Sequence, residues 1–191
     1  MNAGPVGILL AAGRGTRFGA NKLLYPLADG MPMAVACARR LRGVLPRVIA
    51  VVEDLEQEIA ALLRAEGLRV VANPRAREGM GTSIARGVAA SAAAPGWVIA
   101  LADMPNVPQA AMHALVERLE QGADLVAPVY YGKRGHPVGF SHRHAAALLK
   151  LRADEGGRGI LAANSGTLEL IAVQDPGVIL DVDRPIPGRV F

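Results

Sequence analysis

The sequence predicts an α/β protein whose helices cover both faces of a mostly parallel sheet. Its 191 residues match one ordinary domain, large enough to bury a continuous core without disulfides or structural metal. Apolar residues make up 51% of the chain and aromatic residues only 4%, so the core must be built from Ala, Val, Leu and Ile. That composition suits helices packed on a parallel sheet. Up to about residue 130, short apolar runs alternate with helix-periodic segments, the rhythm of right-handed β-α-β crossovers.

The elements follow in order. Val6 to Leu10 is an apolar run ending at a Gly cluster, which reads as a buried strand. Pro32 opens a helical pattern to Leu41, and Arg47 to Val52 is a β-branched run suited to a second strand. Asp54 is placed to cap a helix over Leu55 to Ala65, which Gly67 ends, and Leu68 to Val71 begins a third strand. Ser83 to Ala93 reads as an Ala-rich helix, Trp97 to Leu101 as a strand, Pro108 to Glu120 as a helix stopped by Gly122, and Asp124 to Tyr130 as a strand. Beyond Tyr130 the rhythm breaks. Tyr131 to Pro137 is a basic, Gly-containing loop, Val138 to Phe140 a short strand, and short helices are expected near 145–151 and 158–163. Thr167 to Ala172 and Val178 to Leu180 are the late strands, one of them expected antiparallel at the sheet edge. No linker or repeat divides residues 1–191, so a single domain is expected.

Composition also narrows the function classes. Cys37 is the sole cysteine, which excludes an internal disulfide and points to a reducing, cytoplasmic setting. Met1 to Pro5 carry no Lys or Arg, so a signal peptide is not expected, and no apolar run reaches membrane-spanning length. The formal charge of +4 favours acidic partners. Its basic residues are scattered and stacking aromatics are few, which favours small phosphorylated ligands over nucleic acid.

The densest motif is the run from Leu10 to Lys22, placed directly after the first strand. Gly13, Gly15 and Gly19 let backbone N–H groups wrap an anion, and Arg14, Arg17 and Lys22 add positive charge. The spacing G-x-G-x-x-x-G is one residue too long for the dinucleotide fingerprint, and the G-K-[ST] ending of a P-loop is missing. A flexible turn with solvated basic residues is the plain alternative. The position at the open end of an early parallel strand, where α/β ligands bind, favours a polyphosphate loop. Asp103 lies just past an apolar strand, with Pro105 and Pro108 forcing the chain out of regular structure, and a carboxylate there suits Mg²⁺ or else a turn. Gly79 to Ser83 precedes a helix and is positioned to offer N–H groups and hydroxyls, or simply to cap it. Asn73 follows the third strand, where such folds contact a nucleotide, but a lone Asn-Pro is more often only a turn. Lys133, Arg134 and His136 occupy a Gly-flanked loop suited to a second phosphate, while His142 and His144, two apart at a helix start, do not read as a metal pair.

These segments resemble one family. Leu10-Ala11-Ala12-Gly13, then Thr16-Arg17-Phe18-Gly19 and Lys22-Leu23-Leu24, are similar to the signature loop of the molybdenum-cofactor nucleotidyltransferase-like family, especially its cytidylyltransferase branch. Four later segments resemble it in order: Gly79 to Ser83, Leu101 to Pro105, Gly135 to Val138, and Asp181-Val182-Asp183. The resemblance implies a Rossmann-like three-layer α/β/α nucleotidyltransferase fold. It implies transfer of CMP from CTP to a phosphorylated acceptor, molybdopterin or its molybdenum-loaded form, with release of pyrophosphate. Arg17, Lys22 and Asp103 are the catalytic residues it implies, with Mg²⁺ as cofactor at Asp103 in a D-x-P segment and Asp183 as second ligand. Nucleotide contacts are implied at Leu10, Ala11, Ala12, Gly13, Gly15, Thr16, Arg17, Lys22, Asn73, Gly81, Thr82, Ser83 and Asp103, and acceptor contacts at Arg134 and His136. A receiving molybdoenzyme or its chaperone is the further partner. Two departures stand out. Arg184 to Phe191 replaces the family's closing T-P-E-D-L, and Glu155-Gly-Gly-Arg158 matches a G-D-x-G-A-R segment only loosely. The rival readings are guanylyl transfer within the same family, a sugar-phosphate or methylerythritol-phosphate transferase, and a non-catalytic cofactor chaperone.

Overall fold

The computed structural model describes residues 4–13 and 21–182. Strands β1 (Val6–Leu10), β2 (Val48–Val52), β3 (Arg69–Ala72) and β4 (Gly96–Leu101) run parallel in the spatial order β3-β2-β1-β4. The sheet continues through β5 (Leu125–Tyr130), β6 (Lys133–Arg134), β7 (Val138–Ser141) and β8 (Leu168–Ala172), giving eight strands among the described residues.

Side-chain alternation on the buried strands divides the core in two. Leu9 and Ala11 join a cluster with α1 (Met33–Arg42), α2 (Glu58–Ala65) and α4 (Gln109–Glu120) on one face. Val6, Ile8 and Leu10 join the cluster formed on the other face with α3 (Met80–Ala89), α5 (Ala145–Leu149) and α6 (Arg158–Ala163). Trp97, Ile8, Leu9, Leu41 and Leu63 are fully buried, and each such side chain contributes about 1.5–3 kcal/mol on leaving water. Gly87 sets how near α3 lies, because a Cβ there would meet Ile8 Cγ2 at 2.6 Å. The result is the expected three-layer α/β/α arrangement. No helix of the described residues is long and apolar enough to cross a membrane.

Three local expectations are corrected. Helix α2 starts at Glu58 behind Gln57, not under Asp54, whose Oδ1 accepts from Glu56 N–H at 3.1 Å in a separate turn. Val178 closes a 3-10 turn (Pro176–Val178) and forms no strand with its successors, because Asp175 Oδ1 accepts from Gly177 N–H and starts that turn. The antiparallel strands are not the late ones: β7 lies between β4 and β5, antiparallel to both, β6 pairs antiparallel with the end of β5, and the late strand β8 runs parallel to β5. The reversal is made by Tyr131 and Gly132, with φ of 44° and 78°, between the paired Tyr130 and Lys133. Positive φ at both central residues is the tight hairpin turn that follows strand twist. Tyr at its first position hid it in the sequence.

Candidate active site

The chain passes from β1 to β2 through α1 on one face and from β3 to β4 through α3 on the other. At the carboxyl ends of the adjacent parallel strands β1 and β4, the place where α/β ligands bind, the chain leaves a crevice. Ala12 and Gly13 follow β1 into it, and Asp103 follows β4. Lys22 enters from a short 3-10 turn (Lys22–Leu24) that Asn21 caps by accepting from Leu23 N–H at 3.2 Å, with Leu23 buried as its anchor. Lys22 Nζ stands 2.7 Å from Asp103 Oδ2, with side chains 11% and 22% exposed.

The Asp103 segment is fixed from behind. Cys37 Sγ donates to the Ala102 carbonyl at 3.3 Å, and Val182 N–H donates to the Asp103 carbonyl at 2.9 Å. Burial, and next the charge of Asp103, push the Cys37 thiol up to about 12, so it remains a neutral donor. His136 N–H donates to the Val178 carbonyl at 2.7 Å, so the strap from Pro176 to Val182 joins the Asp103 segment to the His136 loop. A Cβ on Gly177 would meet the Asn106 carbonyl oxygen at 2.1 Å, and one on Gly135 would meet that of Val178 at 2.2 Å, so both contacts require glycine.

Two cavities meet at this crevice. The first, of about 580 Å³, is lined by Ala12, Gly13, Lys22, Ser83 and Asp103, with the Glu53–Arg77 ion pair (2.7 Å) on its wall. The second, of about 380 Å³, has an apolar floor that includes Ile84, Ile99 and Phe140 and a polar rim of Arg134, His136 and Arg158. Leu10, Met80, Leu101 and Asp154 line both, so the cavities form one continuous cleft. The first sets Lys22 and Arg77 among the carboxylates of Glu53, Asp103 and Asp154 and is edged by backbone, which suits a triphosphate that brings a divalent cation with it. The second suits a phosphorylated body with an apolar face.

The structure places Leu10, Ala12, Gly13, Lys22, Ser83 and Asp103 on the first cavity, and Arg134 and His136 on the second. Four expected contact residues stand behind the wall. Ala11 turns into the α1-side core, and its N–H donates to the Val51 carbonyl at 2.8 Å. Gly81 N–H donates to the Ala153 carbonyl at 2.9 Å, so this helix N-terminus is already covered. Asn73 Nδ2 donates to Thr82 Oγ1 and Ser83 Oγ, both at 2.9 Å, and its Oδ1 accepts from Arg75 N–H. Thr82 Oγ1 also lies 2.9 Å from the Arg75 and Gly79 carbonyls. Asn73, Gly81 and Thr82 therefore position the wall that Ser83 presents. Gly15, Thr16, Arg17 and Asp183 lie outside the described residues. Glu53, Arg77 and Asp154 were not singled out from sequence. Glu53 had a usable signal, since it follows β2 as Asp103 follows β4.

Burial holds the His136 imidazole below its ordinary pKa, against Asp103, which raises it, and with Arg134, which lowers it further. His136 is therefore neutral at neutral pH, and its Nδ1 is buried without a hydrogen-bond partner. That orphaned nitrogen costs free energy unless a ligand or water satisfies it.

Among the described residues no three His, Cys, Asp or Glu side chains gather at metal-ligand distance. One carboxylate is enough for Mg²⁺ that arrives on a triphosphate, because phosphate oxygens and water complete its shell. Asp103, a hard oxygen donor on the cleft wall, fits that requirement.

The sequence model of the MobA-like NTP transferase domain matches residues 7–168. Purine catabolism protein PucB of Bacillus subtilis is 31% identical over 198 residues, covering 94% of this chain and 92% of PucB. The crystal structure of Rv0371c from Mycobacterium tuberculosis superposes with a TM-score of 0.76 at 25% identity, over 96% of this chain and 95% of that one. A nucleotidyl transferase from Methanothermobacter shares the fold, with a TM-score of 0.78 at 20% identity over 95% and 92% of the two chains.

Proposed function

The chain belongs to the family of MobA-like NTP transferase domains, and from that premise we propose that it transfers CMP from CTP to the phosphate of molybdopterin or its molybdenum-loaded form. Family membership implies NTP-dependent nucleotidyl transfer that requires a divalent cation. The observation that carries the reading is the Lys22–Asp103 pair in the wall of a cleft with two chemically distinct lobes.

In the proposed reaction an acceptor phosphate oxygen attacks the α-phosphorus, the bond to the bridging oxygen of the leaving group breaks, and pyrophosphate departs. Charge repulsion between two anions is the main obstacle. Mg²⁺, held at Asp103, supplies neutralisation of phosphate oxygens. Lys22 and Asp103 cancel each other's charge before substrate arrives. A triphosphate offers the ammonium a new anionic partner and leaves the carboxylate available to a cation, so both charges are delivered where the reaction needs them. Arg17 is assigned to the leaving pyrophosphate and Asp183 to the second metal position. Arg134 draws in the acceptor phosphate, and His136, being neutral, hydrogen-bonds without acting as a base, since the acceptor phosphate is already ionised.

The donor assignment rests on Ala12, which lines the nucleotide lobe. Its methyl group narrows the backbone side of the pocket, which disfavours a purine. The test is pyrophosphate release with molybdopterin and CTP, GTP or ATP at saturating Mg²⁺, with the product mass determined. A CMP adduct is expected. Preference for GTP overturns the donor, and no release with any nucleotide overturns the enzyme reading.

A further inference from the structure

Asp154 is the one carboxylate shared by both lobes, and it is the only acidic side chain lining the acceptor lobe among the described residues. Its presentation is built into the fold. Gly79, with φ of 126°, and Gly81 lie so close under the Ala153–Glu155 backbone that a Cβ on Gly79 would meet Ala153 C at 2.1 Å, and one on Gly81 the Glu155 carbonyl oxygen at 2.6 Å. The Gly81 N–H to Ala153 bond ties this contact, and Glu155 N–H closes the turn on the Arg152 carbonyl at 3.0 Å. Ala153 is held at φ 46°, a region L-residues seldom adopt. On the far side Gly157 presses on the Phe140 ring, where a Cβ would meet Cζ at 2.7 Å. The turn is thus clamped at both ends, to the N-terminus of α3 and to the floor of the acceptor lobe.

At the tip of this clamped turn the Asp154 carboxylate is exposed and makes no hydrogen bond or ion pair among the described residues. An unpaired anion in a cleft that gathers phosphates opposes binding unless it meets a donor. We propose that Asp154 is a specificity-determining residue for the acceptor, selecting a phosphomonoester whose body carries an N–H or O–H donor and disfavouring one that brings a second anion to that place. The inference rests on the nucleotidyl-transfer reading above and adds the recognition of the acceptor's body to that of its phosphate. Arg134 and Arg158 on the same rim serve the phosphate, and Asp154 serves the remainder.

Phenyl phosphate and its 3- and 4-amino derivatives form a matched probe set of similar shape and phosphate charge. Their Kd values are measured by ligand-observed NMR on the full chain saturated with a non-hydrolysable CTP analogue and Mg²⁺. A hydrogen bond to a charged acceptor corresponds to about tenfold or more in affinity, so one amino ester should bind at least about tenfold tighter than phenyl phosphate. Asp154→Ala should abolish that preference, and Asp154→Asn, which still accepts through its amide oxygen, should retain part of it. Both variants should keep the wild-type melting temperature, because the side chain is exposed. Equal binding of all three esters by the wild type, or a preference that survives Asp154→Ala, overturns the inference. Loss of affinity for all esters alike, with a lowered melting temperature, makes Asp154 structural and also overturns it. Failure of every ester to bind overturns the acceptor assignment itself and the inference with it.

Discussion

If Lys22 and Asp103 are kept for chemistry, stability and activity should separate when they are replaced together. At 2.7 Å the gross attraction is about 6 kcal/mol at an effective dielectric of 20. Desolvation of both groups offsets most of it, since their side chains are only 11% and 22% exposed. Removing one partner from a fully buried pair costs 3–5 kcal/mol, and the residual exposure here lowers that to about 2–3 kcal/mol. Asp103→Asn preserves shape and removes one charge of the pair, and Lys22→Met preserves length and removes the other. The double variant removes both, so its stability should return to within about 1 kcal/mol of wild type. Its kcat should stay at least two to three orders of magnitude down, the scale seen when one transition-state charge partner is lost. Urea melts of the four proteins, with pyrophosphate release from CTP, give both quantities. A double variant as unstable as the sum of the singles would show that the pair serves the fold, and that result would refute the reasoning.

Three more outcomes are expected. Gly81→Ala places a methyl carbon 2.6 Å from the Glu155 carbonyl oxygen and 2.8 Å from that of Arg152, so the turn must shift, costing about 1–3 kcal/mol and raising KM for both substrates; unchanged thermal melting would mean the contact has slack. Burial keeps His136 below its ordinary 6.5, so below that pH the unfolded chain binds the proton first and stability is lost on acidification; thermal melts should fall more steeply from pH 7.5 to 5 for wild type than for His136→Asn, and parallel curves would count against a neutral buried imidazole. Ala12→Gly should lower the ratio of kcat/KM for CTP over GTP by no more than the 10- to 200-fold, or about 1–3 kcal/mol, that one methyl group supplies, and an unaltered ratio would remove Ala12 from donor selection.

Much of the fold was legible because its strands are buried on both faces and so appear as unbroken apolar runs. Val6–Leu10, Val48–Val52 and Gly96–Leu101 each lie within a residue of their expected bounds. Beyond Tyr130 the same reasoning found Val138–Ser141 and Leu168–Ala172 but not their neighbours, and it missed the strand Lys133–Arg134 and the 3-10 turn Pro176–Val178. Val138–Ser141 was recognisable as a strand, but a four-residue run carries no mark of whether it lies inside a sheet or at its edge. Its place between β4 and β5 is set by the Tyr131-Gly132 turn, and later chain then covers the open side of β5.

The site divides along a similar line. Lys22 and Asp103 were recognisable because each belongs to a motif, the Gly-rich run after β1 and the D-x-P segment after β4, of a set that resembles one family in order, and the fold brings them together across 81 positions of sequence. Glycines were harder to interpret, since the same residue admits a phosphate or a neighbouring backbone. Gly79 caps α3 and Gly81 lies in its first turn, as at an anion site, yet the group filling the space above them is the Ala153–Glu155 backbone. Sequence shows that something must approach a glycine closely and leaves open what. Here the approaching segment carries Asp154, so the glycines serve the cleft indirectly, by fixing a carboxylate between its two lobes. Substitution at Gly81 and at Asp154 should therefore differ in kind: the first misplaces the wall for both substrates, and the second alters which acceptor the intact wall admits.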